Sequence, residues 1–432
     1  MRTRSRQQVV CFLYSFTQRL HLRTKASSEI NYAEPFSLFD GDWLNRVYAA
    51  LHVSKHAPYR LSKRCAIVVI LTWVPVAFFA LLGGFVGGGL VATNFFADFA
   101  AYAQFLVAMP LFVIAEPIID QSTRAAARQF ISCGIIKPED SQRLYRLHAR
   151  IKQLLTSYWP DIVCVAFAYA LSLAILVPEF GSKPLPTWHV QDYLRWRTLS
   201  WAGGWEFLVA LPLLNYTWLR FVWKTLMWIF YLQRVSRIRL ELHPTHVDLT
   251  GGIGFISNAQ SQFAIFILAY GISNIAATVG YEITILHYDL STMPVWGPLL
   301  GFAIGAPLLF TLPLFMFTRQ LYCSKWRALE IYRQRVTEHS RQVEGHWLMN
   351  TRSVESAPDE IRELTELNTL GTMFTRIENM RIVPLDLRSF GQLVGSSLGS
   401  VATLLPILHV NGNVTGLFDA IGKLLGHLGG AR

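Results

Sequence analysis

Six stretches of this chain, at about 66–92, 95–119, 160–179, 205–230, 263–287 and 297–318, are apolar for nearly their whole length. A helix needs roughly 20 such residues to cross the ~30 Å hydrocarbon layer of a bilayer. The runs are continuous rather than alternating, so they predict helices and not the strands of a barrel, since backbone facing lipid must satisfy its own hydrogen bonds. Charged residues make up 16% of the chain against 52% apolar, too few to wet the surface of a soluble protein of this length. The expected fold class is all-α: a polytopic membrane helical bundle of about six transmembrane helices, with amphipathic cytoplasmic helices beside it.

The formal charge of +11 is explained by where it lies. Eleven Lys and Arg precede residue 66, seven fall between the second and third runs, and ten lie from Arg319 to Arg381. The segments expected on the opposite face hold only Lys183, Arg195 and Arg197. This is the positive-inside pattern, which places the N terminus and the tail after the sixth run in the cytoplasm; it is not a nucleic-acid footprint. Three regions follow. Residues 1–65 are a basic arm with an interfacial helix, on Trp43, Leu44, Val47, Tyr48 and Leu51. Residues 66–318 are the six-span domain, with a cytoplasmic helical hairpin at 120–159 whose second helix starts at Pro138 and carries Leu144, Leu147, Ile151 and Leu154 on one face. Residues 319–432 are a helical tail, in which the uncharged segment 393–410 reads as re-entrant, with a seventh span as the alternative. The five cysteines are scattered, without a Cys-x-x-Cys pair, which argues against disulfides and cysteine metal sites.

Aromatic clusters mark the expected membrane boundaries. Trp188, Trp196, Trp201 and Trp205 follow the third run, and Trp218, Trp223 and Trp228 lie along the fourth; both sets read as anchors at headgroup level. Pro298, Pro307 and Pro313 in the sixth run predict a kinked or locally unwound helix.

Polar chemistry concentrates between the fourth and fifth runs. Glu241, His243, His246 and Asp248 lie within eight residues, a donor set that suits zinc or a similar divalent metal. The two histidines straddle Pro244 instead of standing one helical turn apart, and no Glu lies between them as a base, so the metalloprotease pattern is not met. The competing reading gives Asp248 and Thr250 the work of capping the fifth span. Gly251, Gly252 and Gly254 follow at once; free amides at a glycine-rich helix start can hold an anion, and close helix packing explains the same glycines.

Charges inside the spans are the stronger physical signal, because each costs several kcal/mol in lipid unless it is paired or wet. Glu116 and Arg220 fall at similar inner depths with Lys224 one turn further on, which predicts an intramembrane ion pair. Asp98, Glu206 and Glu282 lie near the outer ends of three different spans. Facing one cavity they would attract cations or exchange protons, with Asn215, Ser273 and Asn274 as deeper polar lining; reaching separately for headgroups they would do neither.

Pro244-Thr245-His246, Asp248, Gly251-Gly252, Gly254 and Phe255, together with Met380-Arg381 and Val383-Pro384 in the tail, resemble the signatures of an uncharacterised family of bacterial polytopic inner-membrane proteins. Val247 and Ile253 depart from that pattern. The resemblance implies a bacterial multi-pass inner-membrane protein across most of the chain and brings no activity with it. The function expected from the residues is a channel or transporter for an ion or small solute, in the lipid bilayer and in a homo-oligomer. The alternatives are a membrane enzyme using a metal or phosphate at the His243, His246 and Asp248 loop, and a non-catalytic scaffold or signalling protein.

Overall fold

The structure, a computed structural model, describes residues 36–39, 45–46, 58–87, 95–96, 98–181, 188–193, 196–284, 293–349 and 357–405. The chain divides into Met1–Phe36 and Ser37–Arg432, and the helices belong to the second unit. The basic arm, most of the interfacial helix expected before the first span, the short turn expected at Ala92 to Asn94 and the chain beyond residue 405 lie outside the described residues.

Helix α1 is Pro58–Gly87, opened by a proline whose missing N–H has no partner to lose at a helix start. Helix α2, Phe99–Ser132, absorbs the second apolar run and its polar extension in one piece and stops at Gly134, whose φ of 69° turns the chain. Pro138–Thr156 forms α3, and Trp159–Gly181 forms α4. On α3 the buried face is Leu144, Leu147, Ile151 and Leu155; Leu154, expected on that face, is exposed, because helical spacing from Ile151 reaches both positions and packing selects the second. A two-stranded antiparallel hairpin then follows, β1 (Val190–Tyr193) with β2 (Trp196–Leu199), pairing Val190 with Leu199 and Tyr193 with Trp196. Sequence reading placed only aromatic anchors there.

Residues 201–235 make α5, Phe255–Ile283 α6, and Met293–Thr311 α7. A 3-10 segment, Leu312–Phe317, leads from α7 into α8, Thr318–Met349. The unwinding expected from three prolines is thus confined to the turn holding Pro313, while Pro298 and Pro307 stay within α7. Helix α9, Ala357–Glu378, packs along α8, and α10 is Leu387–Ala402.

Among the described residues, five helical stretches are long and apolar enough to cross a membrane: Leu61–Gly83, Phe99–Ser132, Trp159–Leu176, Phe255–Ile283 and Gly297–Gly345. The fourth expected run, in α5, is not among them, since Glu206, Asn215, Arg220 and Lys224 dilute its apolarity. Its position nevertheless matches theirs. The residues before α5 bond to His189, next to the start of α2, while Leu240 after α5 bridges to Ile136 just past the end of α2. Helix α5 therefore runs antiparallel to α2 over its full length and, like α6, is largely buried within the bundle. An aromatic ladder joins four helices at mid-depth: Phe112 to Phe221 (5.7 Å), Phe221 to Phe266 (5.3 Å) and Phe266 to Phe310 (6.0 Å). In lipid such contacts stabilise by packing, because apolar burial itself gains little there.

Two ends of the bundle can now be told apart. At one, the cavity end, lie Asp98, the hairpin and the start of α5; at the other, the loop end, lie the 236–254 loop and the start of α10. Helix α10 enters from the loop end, where the Asp386 N–H donates to Ser257 Oγ (3.0 Å), and runs parallel to α6 until Leu404 packs on Ala276, Val279 and Ile283. The contact is close: a Cβ on Gly271 would stand 2.5 Å from that of Ser400. The 393–410 segment is accordingly embedded among the spans as far as residue 405.

Candidate functional site

Three of the spans carry short π-helical segments: Tyr102–Ala108 in α2, Glu206–Ala210 in α5 and Gly271–Ala276 in α6. Each inserts an extra residue into the helical ladder and rotates the side chains that follow, a distortion that recurs at functional sites. Gln104 of the first donates to the Ser273 carbonyl of the third (3.2 Å), so the distorted turns meet. Beside them opens a cavity of about 360 Å³ lined by Asp98, Gln104, His189, Glu206, Tyr281 and Glu282, among others. The three acids that the sequence offered as a possible outer mouth, from three separate spans, line this one cavity.

His189, which sequence reading missed, is central to it. Its Nε2 lies 2.6 Å from Glu206 Oε2, and both side chains are buried. Asp98 is held from two sides: Trp188 Nε1 donates to Oδ2 (3.2 Å), and Oδ1 caps α2 by accepting the Ala100 N–H (2.9 Å). Asp98 also lies within electrostatic reach of His189 and Glu206. Trp188 is completely buried, which corrects its reading as a headgroup anchor; Trp201, 81% exposed, keeps that role. The hairpin is fastened to α5 by Ser200, whose N–H donates to the His189 carbonyl (2.9 Å) and whose hydroxyl donates to that of Trp188 (2.5 Å). Helix α5 comes so close that a Cβ on Gly203 would sit 2.5 Å from the His189 carbonyl oxygen.

Asn215, Ser273 and Asn274, expected as deeper lining, are not among the residues that line the cavity. Asn274 donates to Ser273 Oγ (2.7 Å), within the same distorted turn that Gln104 reaches. Asn215 does not belong to the cavity: it donates to Ser172 on α4 (3.1 Å) and accepts from Trp218 (3.1 Å), an interhelical brace in place of the expected lining.

Toward the loop end, Arg220 Nη1 stands 3.3 Å from Glu116 Oε2, the ion pair expected from the sequence. A second cation also approaches, Arg64 of α1, 3.9 Å from Oε1. Lys224 is buried further along α5, and the Phe39 ring packs over the Arg220 guanidinium at 5.4 Å. Below this, Asp120 accepts from Ser37 Oγ (2.7 Å) and the Leu38 N–H (3.1 Å) and pairs with Arg124 (2.7 Å), which holds the segment before α1 against α2.

The 240–255 loop is organised by a carboxylate rather than by a metal or an anion. Asp248 accepts the backbone N–H groups of Thr250 (2.9 Å), Gly252 (3.1 Å) and Gly254 (3.0 Å), and lies 2.8 Å from His246 Nδ1. Burial alone would raise the Asp248 pKa, but these hydrogen bonds bring it down to about 2. The amides of Gly252 and Gly254 that the sequence offered to a bound anion are thus occupied by the protein's own side chain; Gly251, the third glycine of that set, uses its carbonyl to accept the His243 N–H (3.0 Å). The metal reading is corrected as well. Glu241 is drawn away to Lys137 (3.0 Å), and among the described residues no three His, Cys, Asp or Glu side chains stand close enough to hold a metal ion. Leu249, at a φ of 55°, donates its N–H to the His246 carbonyl (3.2 Å) and accepts the Arg381 N–H at 2.7 Å, and Met380 packs at the Gly251 Cα face. The 244–255 and 380–384 stretches therefore form one joint.

These features define a multi-pass α-helical membrane protein with a buried acid–imidazole cluster at one end. No protein-family model matches the chain, and no curated protein or solved structure matches it.

Proposed function

We propose that this protein is a membrane channel or transporter that admits a cation, or a solute together with a proton, through the cavity formed by Asp98, His189, Glu206 and Glu282. The observation that carries the reading is the convergence of three carboxylates and an imidazole, from three spans and the hairpin, on one cavity inside an apolar bundle. Buried carboxylates are costly in such surroundings, and a structural brace needs one partner rather than four titratable groups. The π segments support the same reading, because those in α2 and α5 carry Gln104 and Glu206 of the cavity lining without breaking the helices.

The charge distribution supports an orientation with the loop end in the cytoplasm and the cavity facing outward, and the resemblance in the 244–255 and 380–384 stretches favours a bacterial inner membrane. A metal- or phosphate-dependent enzyme centred on the loop has less support, since Asp248 spends its oxygens on backbone amides.

The test is uptake by proteoliposomes under an imposed potential, for sodium, potassium and protons in turn, against protein-free vesicles. Selective cation or proton entry is the expected result. Vesicles that pass none of the three at any pH between 5 and 8 would remove the basis for the proposal.

A further inference from the structure

A second cavity, larger at about 930 Å³, lies at the loop end between the chain leaving α5 and the first turns of α8. Arg237 and Arg239 line one wall, Arg327 the other, with His243, Ser324 and Tyr332 between them. Gln320 fixes the spacing of the walls by donating to the carbonyls of Ser236 (2.6 Å) and Ile238 (2.9 Å).

The charge balance of this cavity is one-sided. Its single acid, Glu241, is already bound to Lys137 at 3.0 Å. Among the described residues, none of the three arginine side chains makes an ion pair or a hydrogen bond, and Arg239 adds its field to that of Lys137. Arginines from two separate elements, the chain leaving α5 and the first turns of α8, thus line one space together with Ser324 and Tyr332. Five guanidinium donors per arginine, in a rigid fork, match the oxygens of a phosphate.

We propose that this cavity binds a phosphate group. Its remaining walls are apolar, from Ile238, Leu240, Leu242 and Ile331, and it opens where the spans end. That combination of cationic and apolar lining at headgroup depth favours the phosphodiester of an acidic phospholipid over a free phosphate. The site is distinct from the acid–imidazole cavity at the opposite end and does not depend on what that cavity conducts.

The experiment is a melting-temperature titration of the full-length protein in neutral detergent with phosphatidylglycerol, phosphatidylcholine and inorganic phosphate, at fixed ionic strength. Wild type, Arg239→Gln/Arg327→Gln and Arg239→Lys/Arg327→Lys are compared, and equal melting of all three in phosphatidylcholine shows that the variants fold. Phosphatidylglycerol is expected to stabilise the wild type at concentrations where phosphatidylcholine does not. The Gln variant should need roughly tenfold more of it, and the Lys variant less than that. If inorganic phosphate reproduces the effect with the same arginine dependence, the site stands and its ligand is a soluble phosphate. Equal responses of wild type and Gln variant to both anions would overturn the proposal.

Discussion

His189 Nε2 lies 2.6 Å from Glu206 Oε2, and the two residues reach each other from a hairpin and a distorted helical turn that are fastened together one residue away by Ser200. The imidazole nitrogen and the carboxylate oxygen are in contact, and that placement depends on the backbone that carries them. The backbone contact is that of Gly203, where a Cβ would collide with the His189 carbonyl at 2.5 Å.

Gly203→Ala should therefore separate His189 from Glu206. Overpacking against backbone costs about 1–3 kcal/mol, read as a lower melting temperature in detergent, and uptake through the cavity should fall with it. Gly204→Ala is the control, since a Cβ there meets nothing within 4 Å. Identical behaviour of the two variants would count against the close approach.

The Glu116 and Arg220 pair makes a prediction about stability rather than transport. Arg220→Ala takes the nearer guanidinium, at 3.3 Å, away from the buried Glu116 carboxylate, and should cost about 3–5 kcal/mol. Replacing both partners together, Glu116→Gln with Arg220→Met, should recover part of that loss, because the buried carboxylate is then removed along with its nearer cation. Thermal unfolding of the three purified proteins checks the order.

At the loop end, Asp248 ties the 240–255 loop in the shape that receives Arg381. Its pKa falls from 3.8 to about 2 on folding, so its contribution is complete above pH 4 and is lost as the pH drops from about 4 through about 2. Asp248→Ala removes acceptors from three backbone donors and should cost on the order of 3 kcal/mol. Trypsin cleavage at Arg381 reports the joint: it should be fast in Asp248→Ala at neutral pH and slow in the wild type.

His148 gives the opposite end of the titration range. Burial beside Tyr231 lowers its pKa from 6.5 to about 4, which means the packed imidazole refuses a proton that a released α3 would accept. The docking of α3 on α5 should weaken as pH falls from 6.5 to about 4 and change no further below that. Hydrogen exchange of residues 138–156 across this interval should show the trend in the wild type and lose it in His148→Phe.

Much of this architecture is legible in the sequence because membrane spans are specified by composition over long windows. The intramembrane charges were informative for the same reason: the cost of burying Glu116 demanded a cation, and depth along the helices pointed to Arg220. The convergence of Asp98, Glu206 and Glu282 was visible only as a possibility, since depth along a helix is readable and rotation about its axis is not. Three π segments change that rotation, and nothing in Tyr102–Ala108 or Gly271–Ala276 announces them. His189 was missed because it sits in a polar connection with no periodicity, and Trp188 beside it looked like an anchor. The loop misled in the other direction. Glu241, His243, His246 and Asp248 are close in sequence, but the chain turns so that Asp248 faces amides and Glu241 faces Lys137.

The central claim is that the acid–imidazole cavity lies on the path of a cation or proton. It is tested most directly by comparing uptake into proteoliposomes for wild type, Glu206→Gln, Glu282→Gln and the loop-end variant Asp248→Asn, all reconstituted at equal density after their melting curves have been matched. The account predicts that either cavity variant lowers uptake at least about tenfold or changes which cation is carried, while Asp248→Asn conducts like the wild type. Unaltered rate and selectivity in both cavity variants would contradict it.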